Sequence, residues 1–530
     1  MPYAIDLFCG AGGFSEGILQ AGFDIIFSSD RSPMVEETYT NRHRQLGLTE
    51  GIDTHFELAD IKELTSETIF NSINNLKYGN IFKKGNIDAI FGGPPCQGFS
   101  RLGKRDASDP RNMLFHEYLR IIKDLAPKYV VMENVTGLLD MQMLDFPSVL
   151  SSDVYEGQNL IKDILRLELA GLNYNVLDLQ VLNSADFGVP QQRNRVVFLA
   201  YRNDVQALQY PKSTNKVVSV YDALGDLYSD KPYKYSTPYS SSSKYGRTLS
   251  IDKKIPIKRT KLTNMETSSH DNTVIERFSL YKQGENRKKA VTRLRKTGIN
   301  LKEQCPDLFY DSLFQLNSKS NTNVVLQAVE NIGIDIHNMN DKWVYYTNRQ
   351  LALLFQYQSE NTAEEFNHTL SSLAKRLSTD ILTAGLFWNQ VKMKFNSFIT
   401  EDKYNSMLIK GEISDDMAEA IFTKKGIRTR LNSETVSPTM VTLPDDFIHP
   451  FYNRILTVRE MARLQSFDDS FEFLGKRTTG GNKRAQETPQ FTQVGNAVPP
   501  LLAKAIADEV FKACQRTTQN ALLEANIEGA

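Results

Sequence analysis

A glycine-rich turn near the amino terminus constrains the fold of this 530-residue chain more than any other feature. The turn spans residues 10–14, follows a predicted strand over 3–9 and precedes a predicted helix over 15–20. A strand, a glycine turn and a helix in this order form the first unit of nucleotide-binding α/β folds. A second predicted strand, 24–29, leads to Asp30, a carboxylate about 20 residues after the turn, which suits a ribose hydroxyl. The sequence therefore predicts an α/β fold with a doubly wound, mostly parallel sheet.

A second segment presents a cysteine on a stiff turn. Residues 86–91 predict a short buried strand, and the sequence G-G-P-P over 92–95 fixes the backbone before Cys96. A thiol at the carboxyl end of a parallel strand lies where open α/β sheets bind ligands. Alone, this residue could equally be a small buried cysteine. The segments that follow it favour a nucleophile.

Two further predicted strands carry charged residues near their ends. Glu133 lies in the strand 129–135, where a partly desolvated carboxylate can act as an acid near neutral pH. Arg193 and Arg195 alternate along the segment 189–200, so we expect both guanidinium groups to point into one cleft. Each charge by itself is more often a salt-bridge partner than a catalyst. Because these charged residues follow Cys96 in the chain, a catalytic role is favoured over isolated salt bridges.

Six segments in this order resemble the motifs of the bacterial DNA cytosine-5 methyltransferases of restriction-modification systems. They are D-L-F-C-G-A-G-G at 6–13, G-P-P-C-Q-G-F-S at 93–100, E-N-V at 133–135, Q-Q-R-N-R at 191–195, S-P-T-M at 437–440 and Q-V-G-N at 493–496. The resemblance covers about the first 200 and roughly the last 100 residues. It implies the S-adenosylmethionine-dependent methyltransferase fold, with an inserted target-recognition domain that contains a helical part.

The resemblance also implies a discontinuous catalytic domain. We expect a catalytic and cofactor-binding domain in residues 1–200, a target-recognition domain and hinge in 201–487, and a return of the chain to the catalytic domain in 488–530. Apolar residues recur at helical spacing in 323–332 and 362–394, which predicts a helical insertion. The sequence over 457–467 predicts a capped helix followed by a turn.

The implied methyl donor is S-adenosylmethionine. The residues that the resemblance assigns to it are Phe8, Gly10, Gly12, Asp30, Arg31, Asp60, Ile61, Leu114, Asn496, Ala497 and Val498. Two of these depart from the family pattern: Asp30 stands where glutamate is more usual, and Arg31 where many relatives have tryptophan. A guanidinium group stacks well on planar rings, so neither change is expected to prevent binding.

The resemblance implies a covalent mechanism. Cys96 would add to carbon 6 of a cytosine extruded from the duplex. Glu133 would support ring nitrogen 3 and the exocyclic amine, and Arg195 would contact the ring carbonyl oxygen with Arg193 supporting it or the thiolate. Residues 101–111 correspond to the loop that closes over DNA in this family. The residues assigned to DNA contact are Ser100, Lys104, Arg105 and Thr439.

The charge of the chain is unevenly distributed. The formal net charge is −1, yet residues 231–300 hold 17 Lys and Arg against 5 Asp and Glu, a stretch that could neutralise phosphates or simply form a solvated basic surface. The four cysteines are far apart and lack the spacing of metal ligands. The first predicted strand leaves no room for a signal peptide, and no apolar run has the roughly 20 residues of a membrane span. We expect a cytoplasmic enzyme whose partner is double-stranded DNA, with a cognate restriction endonuclease acting on the same site.

Three alternatives remain open at this point. Relatives with the same catalytic core methylate transfer RNA, so an RNA substrate is one alternative. A binding protein that retains the fold without catalysis is disfavoured by the presence of Cys96, Glu133 and Arg195. A nicotinamide-dependent oxidoreductase is disfavoured because the turn reads G-x-G-G and lacks the third glycine of G-x-G-x-x-G. The DNA sequence that is recognised cannot be read from the chain.

Overall fold

The structure is a computed structural model that describes residues 1–95, 113–228, 236–252, 254–334, 341–395, 399–479 and 486–528. The chain forms two compact units. Unit 1 comprises Met1–Glu266, Asn432–Pro444 and Thr457–Ala530, and unit 2 comprises Thr267–Leu431 and Asp445–Leu456. Among the described residues, no helix is long and apolar enough to cross a membrane.

Unit 1 is built on one sheet, in which the described residues form eight strands. The strands are β1 (Tyr3–Leu7), β2 (Asp24–Asp30), β3 (His55–Leu58), β4 (Ala89–Gly92), β5 (Tyr129–Val135), β8 (Tyr174–Val176), β9 (Gln180–Asn183) and β10 (Asn194–Arg202). Their order is β3-β2-β1-β4-β5-β10-β8, and β9 also pairs with β10. Neighbours from β3 to β5 are parallel, whereas β10 is antiparallel to β5, β8 and β9. A separate hairpin consists of β6 (Gln142–Pro147) and β7 (Val154–Leu160).

Helices cover both faces of the sheet, as the predicted doubly wound fold requires. Alternate residues of one strand enter different cores: Val130 and Met132 lie in one apolar cluster, and Tyr129 and Val131 in another. The helices of unit 1 are α1 (Gly13–Ala21), α2 (Pro33–Gln45), α3 (Ser66–Asn74), α4 (Leu114–Leu125), α5 (Ile161–Gly171), α6 (Val220–Leu224), α7 (Pro238–Tyr245), α17 (Val458–Leu464), α18 (Gln490–Asn496) and α19 (Pro500–Glu528). Because the strand order reverses between β1 and β4, this is the point at which open sheets of this type bind ligands.

The end of the chain packs against its beginning. Helix α19 contacts α1, and its apolar residues Leu502 and Ile506 share a buried cluster with Phe14 and Ile18. Unit 1 therefore contains the last part of the chain. It also extends to Glu266 and takes back residues 432–444 and the chain from Thr457, so its bounds differ from the predicted ones at 200 and 487.

Near the glycine turn, the observed limits of the strand and the helix differ from the predicted ones by two residues. Strand β1 ends at Leu7 rather than at residue 9, because Phe8 has a φ of 55°, outside the range of a strand. Helix α1 begins at Gly13, two residues before the predicted start. The predicted capped helix is confirmed as α17, where Thr457 and Glu460 form a reciprocal capping box.

Unit 2 is mostly helical, which agrees with the predicted helical part. Its helices are α8 (Asn272–Ser279), α9 (Arg287–Thr297), α10 (Leu301–Gln304), α11 (Pro306–Asn331), α12 (Asp341–Glu360), α13 (Ala363–Arg376), α14 (Ile381–Lys394), α15 (Glu401–Lys410) and α16 (Asp415–Phe422), and two short strands, β11 (Thr429–Arg430) and β12 (Phe447–Ile448), pair with each other. The helix predicted from residue 323 is the second half of α11. The pattern over 362–394 is two helices, because Ser378 has a φ of 53° and Asp380 caps the second one.

Candidate active site

The carboxyl ends of the first four parallel strands meet at one edge of the sheet. The glycine turn follows β1 at this edge, and Gly12 has a φ of 93°, a conformation that other residues rarely adopt. Gly13 is closely approached by the chain near α19: a Cβ built on it would lie 2.3 Å from Val498 O and 3.0 Å from Ala497 Cβ. The structure thus brings residues 497–498, predicted to close the cofactor pocket, against the glycine turn.

Asp30, at the end of β2, is hydrogen-bonded to this turn. Its Oδ2 accepts the backbone N–H of Gly10 at 3.2 Å, and its Oδ1 accepts that of Ser32 at 2.9 Å. Burial raises the pKa of the Asp30 carboxyl group, although these hydrogen bonds act in the opposite direction. The N–H of Ala59 donates to Asp30 O at 3.2 Å, so the segment that carries Asp60 begins beside Asp30.

Three of the apolar residues predicted to bind the cofactor belong to one cluster: Ile61 and Leu114 lie in it and Phe8 packs against it. Ile61 and Leu114 are buried, Phe8 is partly buried with its ring 6.4 Å from that of Tyr118, and Arg31 is exposed. The turn itself leaves space, since among the described residues other than its two chain neighbours no atom lies within 4 Å of a Cβ built on Gly10. An adenosyl group needs apolar surface for its ring and a carboxylate for its ribose. The residues at this edge supply both, so they fit an S-adenosylmethionine-type donor.

Glu133 and Arg195 form an ion pair across two neighbouring strands. Arg195 is opposite Val135 in the antiparallel register, and its Nε lies 2.6 Å from Glu133 Oε1. The contact lacks the alignment of a hydrogen bond, and the solvent-shielded Oε1 accepts none from the described residues. The charge of Arg195 offsets the cost of burying this carboxylate, and a ligand that donates an N–H would add the hydrogen bond that Oε1 lacks.

The turn that leads to Cys96 begins beside this carboxylate. A Cβ built on Gly93 would lie 3.4 Å from Glu133 Oε2. Asn134, which is 2% exposed, donates from Nδ2 to Pro94 O at 3.0 Å. Strands β4 and β5 are also paired up to Gly92 and Met132. Glu133 and the start of the Cys96 segment are therefore held next to each other.

Comparison with known proteins identifies the family. Residues 3–512 match the family model described as C-5 cytosine-specific DNA methylase. The chain belongs to this family. It is a DNA cytosine-5 methyltransferase, and its methyl donor is of the S-adenosylmethionine type.

Relatives agree with this assignment, and a solved structure shares the fold. The chain is 28% identical to the type II methyltransferase M.DdeI of Desulfomicrobium norvegicum over 512 residues, 96% of this chain and 88% of the relative. It is 33% identical to the type II methyltransferase M.FnuDI of Fusobacterium nucleatum over 228 residues, 42% of this chain and 55% of the relative. A solved structure described as a prophage-encoded DNA modification methyltransferase of E. coli shares the fold, with a TM-score of 0.53 at 19% identity over 97% of this chain and all of that one.

Arg193 binds backbone carbonyl groups of two other segments of unit 1. Strand β10 starts at Asn194, so Arg193 precedes it, and its buried guanidinium donates to Met440 O at 3.0 Å and to Gly495 O at 3.0 Å. The sequence predicted that both arginines point into one cleft. Arg195 pairs with Glu133, and Arg193 holds the backbone before Asn496. A shared cleft for the two arginines stays a prediction.

Several predicted site residues have other surroundings or lie outside the described residues. Thr439, predicted to contact DNA, is partly exposed, and its Oγ1 donates to Gln192 O at 2.7 Å. Asn496 is exposed at the end of α18. Cys96, the predicted nucleophile, lies outside the described residues, as do the predicted DNA contacts Ser100, Lys104 and Arg105.

Two residues of the site were not predicted, Asp6 and Asn134. Asp6 is 1% exposed, its Oδ2 accepts a hydrogen bond from Ser15 Oγ at 2.5 Å, and its Oδ1 has no partner among the described residues. Burial raises the pKa of Asp6 to about 7. The sequence feature that could have identified Asp6 is a carboxylate in the middle of an apolar strand. For Asn134, the only indication in the sequence was its place in the E-N-V motif.

Proposed function

We propose that this enzyme transfers a methyl group from S-adenosylmethionine to carbon 5 of a cytosine extruded from double-stranded DNA, through a covalent adduct with Cys96. The observation that carries the proposal is the buried Oε1 of Glu133, which accepts no hydrogen bond from the described residues and lies beside Arg195. It is placed on the strand next to the one that leads to Cys96. A cytosine presents an amine and a ring nitrogen that match such a carboxyl group.

The chemistry follows from the weak nucleophilicity of carbon 5 in cytosine. Extrusion of the base costs a few kcal/mol and gives access to both ring faces. Addition of the Cys96 thiolate to carbon 6 places an electron pair on the ring, and Glu133 supports the charge at nitrogen 3. Carbon 5 then attacks the methyl group, and the carbon–sulfur bond breaks with its electrons on sulfur. Loss of the carbon 5 proton and expulsion of the thiolate restore the ring.

The remaining site residues would bind and orient the methyl donor and the cytosine. S-adenosylmethionine, when bound, supplies a methyl group on a sulfonium centre. Asp30 would bind its ribose, Asp60 and Ile61 the adenine edge, and Phe8 the adenine face. Gly10, Gly12 and the segment that Arg193 holds would enclose the methionine part. Arg195 would keep Glu133 in place and contact the ring carbonyl oxygen.

The relatives are named as type II methyltransferases, which supports a role in restriction-modification. We infer that the enzyme modifies one specific DNA sequence and protects it from a cognate endonuclease that acts on the same site. No direct contact between the two proteins is required for this role.

Methyl transfer assays with labelled S-adenosylmethionine test the proposal. The enzyme should methylate duplex DNA of mixed sequence, and bisulfite sequencing of DNA from cells that express it should find 5-methylcytosine in one sequence context. Total transfer RNA in the same assay should remain unlabelled. Labelling of transfer RNA without labelling of DNA would replace the proposed substrate with RNA.

A further inference from the structure

Helix α9 of unit 2 is basic throughout. Its sequence, R-K-K-A-V-T-R-L-R-K-T, contains six Lys and Arg and no acidic residue. Ala290, Val291 and Leu294 are buried in the core of unit 2 and fix the orientation of the helix. The opposite side is exposed. Its charged members are Lys288, Lys289, Arg295 and Lys296, which we call the α9 basic face.

Most of the charged side chains of the α9 basic face form no ion pair with the described residues of unit 2. Arg293, beside the face, pairs with Glu285 at 2.8 Å, and Arg295 pairs with the exposed Asp415 at 2.7 Å. Within the described part of the chain, the three lysines of the face form no ion pair, and Lys289 Nζ contacts only the carbonyl oxygen of Gly284, at 3.3 Å. The face therefore retains most of its positive charge.

The position of these charges opposes helix stability. Arg287, Lys288 and Lys289 occupy the first turn, where the helix dipole favours negative side chains. A helix selected only for stability would carry Asp or Glu there. Since α9 has none, its lysines are better explained by a negatively charged partner than by folding.

The spacing of the face suits an extended anion. Lys288 and Arg295 are seven residues apart, as are Lys289 and Lys296, so each pair is separated by about two helical turns and 10 Å on the same side. Duplex DNA carries one phosphate charge per about 1.7 Å of its axis, and flexible lysines act as point charges toward phosphate.

We propose that the α9 basic face binds the phosphate backbone of duplex DNA independently of base sequence. The proposal rests on the proposed function, because DNA is the polyanion on which the enzyme acts. Contacts of this kind fix position on the duplex and leave base readout to other residues. The face would thus raise affinity for every DNA site, the methylated one and all others.

The test is the salt dependence of binding by the full-length protein to a duplex of mixed sequence. The variant is Lys288→Gln with Lys289→Gln and Lys296→Gln. The matched control is Lys375→Gln with Lys392→Gln and Lys410→Gln, three exposed lysines of α13, α14 and α15 in the same unit. Fluorescence anisotropy at several NaCl concentrations gives the slope of log K against log salt for each protein.

The variant should bind more weakly, and its slope should be less steep by about 0.9 for each lost phosphate contact, up to about 2.7 for three. The control should keep the slope of the unaltered protein. The melting temperature of the variant should be unchanged or higher, since the dipole no longer opposes two first-turn charges. An unchanged slope in the variant, or an equal loss in the control, would overturn the assignment of the face.

The two proposals fail in different ways. If the unaltered protein methylates and binds duplex DNA but the α9 variant behaves like the control, only the basic face is wrong. If the unaltered protein shows no salt-dependent duplex binding, both proposals are wrong. Equal weakening of binding to an acidic polypeptide and to DNA would also reject DNA as the specific partner of the face.

Discussion

Asn134 Nδ2 donates a hydrogen bond to Pro94 O at 3.0 Å and so ties the end of β5 to the turn before Cys96. The asparagine is almost fully buried, and its Oδ1 accepts the N–H of Val135 at 2.8 Å, which fixes the side chain. Glu133 precedes it. The turn that leads to Cys96 and the strand that carries Glu133 are therefore connected through the side chain of Asn134.

Replacement of Asn134 by alanine should slow attack by Cys96. A misplacement of about 1 Å in such a turn can cost about 10²-fold in rate, so formation of the covalent adduct with 5-fluorocytosine DNA should slow by about this factor. Asn264→Ala is the matched control, because this buried asparagine also donates to a carbonyl, Phe473 O, at 2.9 Å. Both variants should lose about 1–3 kcal/mol of stability. Equal adduct rates in the two would make Asn134 merely structural.

Cys96→Ser should abolish methyl transfer while S-adenosylmethionine and DNA still bind, since a hydroxyl group is a much weaker nucleophile at neutral pH. A duplex that contains 5-fluorocytosine should trap the unaltered enzyme, because fluorine cannot leave as a proton. Denaturing electrophoresis detects the adduct. A serine variant that is trapped at the normal rate would remove Cys96 from its proposed role.

Glu133→Gln separates a catalytic role from a structural one. Glutamine keeps the shape but neither releases a proton nor carries charge, and such help is typically worth about 10²–10⁴ in rate. Single-turnover methylation should slow within this range, with a nearly unchanged melting temperature and normal cofactor binding. Methylation within about threefold of the unaltered enzyme, less than about 1 kcal/mol, would return Glu133 to a structural role.

Arg193 and Arg195 should give opposite kinetic results. Arg193→Gln removes donors to Met440 O and Gly495 O, so the KM for S-adenosylmethionine should rise while trapping at saturating cofactor changes little. Arg195→Gln should slow trapping and leave cofactor affinity intact. Calorimetric titration and trapping rates measure the two effects. Slow trapping with normal cofactor affinity in Arg193→Gln would place its guanidinium at the base, as the sequence predicted.

Asp6 should make stability depend on pH. Its pKa is raised from 3.8 to about 7, so the folded state keeps a proton that the unfolded chain releases above about pH 4. The free energy of unfolding should therefore fall as pH rises through this window, by up to about 1.4 kcal/mol per pH unit, and level off above it. Asp6→Asn should remove this contribution. Urea unfolding of both proteins at pH 5, 6 and 7 measures it, and parallel pH profiles would contradict it.

Local patterns determined much of the fold from sequence. The glycine turn between β1 and α1, the carboxylate that ends β2 and the strand that carries Glu133 follow from residue periodicity and from glycine at positions with positive φ. These features depend on neighbours within a few residues. The order of the six motifs was sufficient to indicate the family, which the match over residues 3–512 shows.

Tertiary structure decided which charged groups meet. Arg193 and Arg195 have the same alternation in sequence, but the carbonyl groups that bind Arg193 come from residues 247 and 302 positions away. The surroundings of Asp6 likewise depend on burial by packed helices and strands. Hydrogen-bond partners and desolvation are properties of the assembled core, and no local pattern contains them. The sequence by itself therefore determined the elements and the family, while packing decided which side chains of the site act together.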